Sequence, residues 1–63
     1  MKWIKLIDSL PKEGERILCL TTSGNIQIGF KLHKKMYRDA DFSTFEEKGY
    51  TVEYWQTLPK APN

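Results

Sequence analysis

The segment that most constrains the fold is NIQIGFKLH, residues 25–33, in which apolar and polar side chains alternate. This period of two places the apolar residues on one face of a half-buried strand: Ile26, Ile28, Phe30 and Leu32. The preceding run, RILCL at Arg16–Leu20, is continuously β-prone and typical of a central strand. Between the two lies TTSGN, whose Gly24 can adopt positive φ and close a hairpin. The sequence therefore predicts a central β-hairpin over Arg16–Leu32.

Two further segments extend the predicted sheet. After a tight turn at HKK, the segment MYRD (Met36–Asp39) is expected to return antiparallel. The segment YTVEYWQ (Tyr50–Gln56) is rich in strong β-formers, with Val52 and Tyr54 expected on one face. Between them a capping-box pattern, Ser43 with Glu46, predicts a loop with at most one helical turn at 43–48. The predicted fold is mainly β, a small twisted antiparallel sheet of three to four strands in a single domain, 1–63.

Composition bounds the chemistry. A chain of 63 residues buries only about 60% of the surface that its unfolded form exposes. Its single cysteine, Cys19, and single histidine, His33, cannot form a disulfide or a four-ligand zinc site, so neither metal nor cofactor is expected. A net charge of +2 is far from a nucleic-acid-binding composition. With no apolar run of membrane-spanning or export length, we expect a cytoplasmic location.

Two Leu-Pro units near the chain ends, SLPKEG and TLPKAP, each follow a tryptophan. A residue before proline is held extended, and proline stops further strand pairing. We therefore expect both units to close the open ends of the sheet, with each leucine inserted and each indole as a cover. The residues of this predicted clasp are Trp3, Leu10, Pro11, Trp55, Leu58 and Pro59. An alternative is that residues 59–62 form a P-x-x-P ligand for an aromatic groove.

Catalytic constellations are lacking in the sequence. The serines stand in turn or cap contexts, no glycine-rich phosphate loop precedes a helix, and Cys19 lies within an apolar run where cysteine acts as a small hydrophobe. An enzyme is therefore not expected. A basic turn is the best nucleic-acid candidate, with Tyr37 beside it to stack a base and Asp39 and Asp41 opposing its field. Its cations are Lys31, Lys34, Lys35 and Arg38.

A protein-binding module is the preferred prediction. The segment Met36–Tyr50 carries aromatic and sulfur side chains among acidic residues, as protein interfaces do. These candidate contacts are Met36, Tyr37, Phe42, Phe45 and Tyr50. The alternative is that the rings form a second layer over the sheet. An available sheet edge would also permit pairing into a homodimer.

The chain resembles a family of small phage and prophage domains of unknown function. The matching elements are WI at Trp3–Ile4, LP at Leu10–Pro11, the strand ERILCL, the segment GNIQIGF and the terminal VEYWQTLP. The family reads W-I-x5-L-P at one end and V-T-H-W-M-P-L-P at the other. This chain departs from it at Glu53, Tyr54, Gln56 and Thr57, so any role of the family histidine does not pass to Tyr54. The resemblance implies an origin in phage or prophage DNA. Phage genes of this size often encode stoichiometric inhibitors of bacterial defence or regulatory proteins.

Overall fold

A computed structural model describes residues 2–59, which form one antiparallel sheet of five strands in the order β1-β5-β2-β3-β4. The predicted mainly-β class and the central hairpin are confirmed, with one strand more than expected because a two-residue segment pairs with β5. Residues 60–62 of the predicted P-x-x-P segment lie outside the described part of the chain. The strands are β1 (Ile4–Lys5), β2 (Ile17–Thr21), β3 (Ile26–Leu32), β4 (Lys35–Arg38) and β5 (Val52–Thr57).

Local turn chemistry explains how β2, β3 and β4 are joined. In the β2–β3 turn, Gly24 adopts φ +93°, and the Thr21 hydroxyl accepts a hydrogen bond from the Asn25 amide at 3.1 Å. The β3–β4 connection has only His33 and Lys34 between the paired residues Leu32 and Lys35, with His33 at φ +58°. Both turns lie where the sequence predicts them.

A bulge in β5 changes which of its side chains are buried. Leu20 pairs with Tyr54, but the next residue of β2, Thr21, pairs with Val52, so Glu53 has no opposing residue. The extra residue shifts the alternation by one position. Val52 and Trp55 are consequently both buried, and the prediction that Val52 shares a face with Tyr54 is wrong.

The interior lies on the face of β3 opposite to the one predicted. Ile17 and Cys19 of β2 are fully buried, whereas Ile26 of β3 is 57% exposed. The buried position of β3 is Gly29, where an added Cβ would lie 2.5 Å from the Tyr37 carbonyl oxygen and 2.8 Å from Phe45 Cε2. The Phe45 ring therefore packs onto the sheet where a strand residue has no side chain. The alternation in the sequence is real, but its apolar members face away from this core.

The segment after β4 carries that ring across the sheet. Its one 3-10 turn, Glu46–Lys48, ends at Gly49 with φ +82°, which confirms the single predicted turn. The reciprocal bonds preceding it join Thr44 and Glu47: the Thr44 amide donates to Glu47 Oε1 at 2.8 Å, and the Glu47 amide donates to the Thr44 hydroxyl at 3.1 Å. The predicted Ser43–Glu46 pair is thus displaced by one residue.

The outer edge of β4 is covered by this segment as well. The Arg38 amide donates to the Ser43 carbonyl at 2.7 Å, and the Phe45 amide donates to the Met36 carbonyl at 3.0 Å. These bonds occupy edge groups that would otherwise accept an added strand. Among residues 2–59, no helix has the length and apolar character to cross a membrane.

Candidate functional site

The two faces of the sheet differ in whether another segment of the chain packs over them. Directly paired residues of antiparallel strands point to the same face, so the register assigns each side chain. The covered face, under the Phe45 segment, carries Ile17, Cys19, Thr21, Gly29, Met36, Val52 and Trp55. The open face carries Leu18, Leu20, Ile26, Ile28, Phe30, Leu32, Tyr37 and Tyr54.

Large aliphatic side chains on the open face are accessible to solvent. Ile26 is 57% exposed, Ile28 37% and Leu32 38%, while Leu18 and Leu20 beside them on β2 are half-buried. No described segment crosses this side of the sheet as the Phe45 segment crosses the other. On a small soluble protein, a contiguous exposed apolar surface often marks the place where another molecule binds.

Three aromatic rings adjoin the aliphatic side chains: Phe30 on β3 itself, Tyr37 on β4 and Phe42 in the loop after β4. Phe30 and Tyr37 are stacked with centroids 5.6 Å apart and an interplanar angle of 8°. Phe42 meets Phe30 edge-on at 5.9 Å and remains 69% exposed. Its backbone adopts φ +58°, a left-handed conformation that costs a bulky residue about 1–2 kcal/mol. The structure thus holds an aromatic ring at the surface in an unfavourable backbone conformation.

The five predicted protein-contact residues divide between the two faces. Tyr37 and Phe42 lie on the open face. Phe45 is only 2% exposed and lies over the sheet, as the alternative of a second layer of rings has it. Tyr50 and Met36 are partly buried and pack against the same core, Met36 as a residue of β4 itself. As a contact residue, Phe45 is a wrong prediction. Sequence reasoning missed Ile26, Ile28 and Leu32 as surface candidates because their alternation was assigned to the core.

The predicted basic cluster does not form one cationic surface. Lys31 has a side chain only 15% exposed and contacts Glu13 at 3.6 Å. Arg38 contacts Asp41 at 3.3 Å, donates to Gln27 Oε1 at 3.0 Å and lies 6.0 Å from the Tyr50 ring centroid. Lys34 and Lys35 alone are exposed. Two of the four predicted cations are therefore engaged inside the fold.

Asp41 is the acidic centre of this loop. The Ser43 hydroxyl donates to its Oδ1 at 2.6 Å and the Ser43 amide at 3.1 Å. These bonds, and then the charges of Arg38 and Lys48, hold the pKa of Asp41 below its usual range. The carboxylate stays ionised and orients the loop that presents Phe42.

The predicted clasp is realised in part, and through different atoms. Trp55 is 7% exposed, and its indole Nε1 donates to the Ser9 carbonyl at 2.8 Å, which ties the N-terminal arm to β5. Pro11 is buried, but Leu10 is 64% exposed, so the predicted insertion of Leu10 is wrong. The hydrogen bond holds Ser9, two residues before the buried Pro11, against β5. Of the remaining members, Trp3 and Leu58 are half-buried and Pro59 is exposed.

Cys19 is placed as a packing residue. It is fully buried on the covered face, and burial raises the pKa of its thiol to about 12. The thiolate, which is the nucleophilic form, is therefore negligible at neutral pH. Within residues 2–59, His, Cys, Asp and Glu side chains form no group of three or more that would hold a metal ion.

Comparison with known proteins identifies the family. A family model described as "Protein of unknown function (DUF551)" matches residues 2–63. The chain belongs to the DUF551 family. Neither a search of curated proteins nor a search of solved structures found a match to this DUF551 chain. Family membership extends over the whole sheet described above, and the open face is its candidate functional surface.

Proposed function

We propose that the chain is a non-catalytic protein-binding module whose contact surface is the open face. The observation that carries the proposal is the exposure of Ile26, Ile28 and Leu32 in one layer, bordered by the Phe30, Tyr37 and Phe42 rings. Apolar side chains with aromatic neighbours are the anchors that protein interfaces use. The contact surface is thus moved from the Met36–Tyr50 loop to the sheet, with Tyr37 and Phe42 retained.

Nucleic-acid binding is the weaker candidate. Lys34 and Lys35 are exposed, but Lys31 and Arg38 are engaged by Glu13 and Asp41. A surface that stacks bases needs exposed aromatic faces within a positive field. Here the centre of the exposed surface is aliphatic, which favours a protein partner.

We extend the proposal to origin and partner. The resemblance of the chain ends to phage and prophage domains supports a phage or prophage origin, a bacterial cytoplasmic setting and a partner from the host or the phage. A domain of 63 residues with an apolar contact face suits a stoichiometric inhibitor of a host protein. Binding that simply occupies a surface of the partner requires no catalytic groups.

The test is site-specific photocrosslinking in bacterial cells. A benzophenone amino acid replaces Ile26 on the open face and, as the matched control, Glu46 on the exposed 3-10 turn. We expect a discrete crosslinked protein from position 26 that is absent at 46 and disappears when Ile28→Asp is added. Equal crosslinking from both positions, or none from position 26, contradicts the proposal. Salt-sensitive retention on oligonucleotides that Lys34→Glu/Lys35→Glu removes would favour nucleic-acid binding instead.

A further inference from the structure

We infer that the partner segment of the open face is an amphipathic α-helix whose apolar stripe is flanked by acidic residues. This inference rests on the proposed function and names the chemistry of its partner. Three features of the described residues carry it: the cover on the sheet edge, the width of the aliphatic surface and the charge of its rim.

The sheet edges leave little room for strand addition. On the β4 side, the Ser43–Phe45 segment already bonds to Met36 and Arg38. On the other side, β1 is only two residues long, which is a common device against edge pairing. A partner therefore docks onto the face as a second layer, and the second layer of a sheet is a helix or another sheet.

The shape of the aliphatic surface fits one helix. Its exposed members, Ile26, Ile28 and Leu32, come from β3, and the half-buried Leu18 and Leu20 of β2 lie beside them. Tyr37 of β4 lies on one side and Tyr54 of β5 on the other. Strands lie about 4.8 Å apart, so this stripe is about 10 Å wide, close to the diameter of a helix. The seven residues of β3 span about 23 Å, the length of about 15 helical residues.

The rim of the stripe is positively charged. The register places Lys5 beside Tyr54 and Lys35 beside Leu32, both on the open face. Both lysines are exposed, and neither forms an ion pair with another residue of the described range 2–59. Asp39, an acid next to this face, is already paired with Arg16 at 3.2 Å. An acidic border on the partner therefore complements this rim.

The same charges disfavour a second copy of this chain as occupant. Face-to-face association would place two lysine-bearing rims against each other across the interface, and like charges within an interface weaken association. Oligonucleotides would match the charge but not the isoleucine and leucine side chains between the two lysines. An acidic amphipathic helix satisfies both the apolar stripe and its rim.

The experiment uses two designed helical peptides with the ¹⁵N-labelled 63-residue chain. Both carry the same leucine stripe, flanked by glutamate in one peptide and by lysine in the other. At low salt we expect the glutamate peptide to bind about tenfold more tightly, and the difference to shrink at about 0.5 M salt. Chemical-shift changes are expected at amides of β2 and β3. Lys5→Glu/Lys35→Glu should reverse the preference, and the control Lys2→Glu/Lys12→Glu, with the same charge change elsewhere, should preserve it.

Several outcomes overturn the inference. The acidic helix is rejected if the two peptides bind with equal affinity or if neither binds. It is also rejected if the chemical-shift changes are confined to the loop between β4 and β5. Concentration-dependent dimers that Ile26→Glu abolishes would assign the face to a second copy, and oligonucleotide-induced shifts on the face would assign it to nucleic acid. If position 26 still crosslinks a protein while the peptides show no preference, the acidic helix is rejected and the binding module stands. If position 26 gives no crosslinked protein and the peptides show no preference, both proposals are rejected.

Discussion

The covered and open faces of the sheet use their side chains in opposite ways. On the covered face Cys19 and Gly29 are small, and the space above them is filled by Phe45, which a loop brings across the sheet. On the open face β3 supplies Ile26, Ile28, Phe30 and Leu32, yet three of these four remain exposed: Ile26, Ile28 and Leu32. The difference shows that the path of the loop, rather than the hydrophobicity of the strand, decides where this domain forms its core.

The largest expected difference in stability between the two faces is found by replacing the two phenylalanines of the loop between β4 and β5. Phe45 is 2% exposed and Phe42 is 69% exposed. We expect Phe45→Ala to lower the free energy of unfolding by about 3–5 kcal/mol, since it leaves a cavity over Cys19 and Gly29. Phe42→Ala removes only an edge contact with Phe30 and should cost less than about 1 kcal/mol. Urea unfolding followed by tryptophan fluorescence measures both values.

A similar loss of unfolding free energy in Phe45→Ala and Phe42→Ala would contradict this comparison. It would mean that the open face contributes to stability as much as the covered face does. Phe42→Gly sharpens the test, since glycine adopts the positive φ of this position without cost. It should be at least as stable as Phe42→Ala.

A smaller but still substantial effect is expected at Gly29. An alanine Cβ there would lie 2.5 Å from the Tyr37 carbonyl oxygen, which is backbone and cannot rotate away. We expect Gly29→Ala to destabilise the chain by about 3 kcal/mol through overpacking. The adjacent open-face change Ile28→Ala should cost less than half as much, because Ile28 is 37% exposed and has no layer above it. Thermal unfolding by circular dichroism compares them, and equal losses would argue against a packed layer over Gly29.

The smallest expected effect separates the two tryptophans. Trp55→Phe keeps an aromatic ring in the core but removes the Nε1 donor to the Ser9 carbonyl. We expect a loss of about 1 kcal/mol and faster hydrogen exchange in the N-terminal arm. Trp3→Phe, at a half-buried position outside the core cluster, should leave that exchange unchanged. Equal exchange rates in the wild type and Trp55→Phe would show that the indole bond does not hold the arm.

Sequence reasoning identified part of the candidate site. The aromatic residues of the segment Met36–Tyr50 are predicted contacts, and two of them, Tyr37 and Phe42, lie on the open face. The aliphatic members were missed because the alternation in β3 was assumed to mark the core. The basic turn was overestimated, because the partner of Lys31, Glu13, comes from a distant segment that only the folded chain brings near. Neither error is visible from local pattern alone.

By itself the sequence determined the antiparallel hairpin, the turns before and after β3, the single helical turn before Gly49 and the extended C-terminal strand. These depend on period-two alternation, on backbone conformations that glycine permits and on local hydrogen bonds. Only the tertiary structure decided which side of the sheet is covered. Alternation separates two faces but does not rank them, and the bulge at Glu53 and the path of the Phe45 loop depend on contacts between residues far apart in the chain.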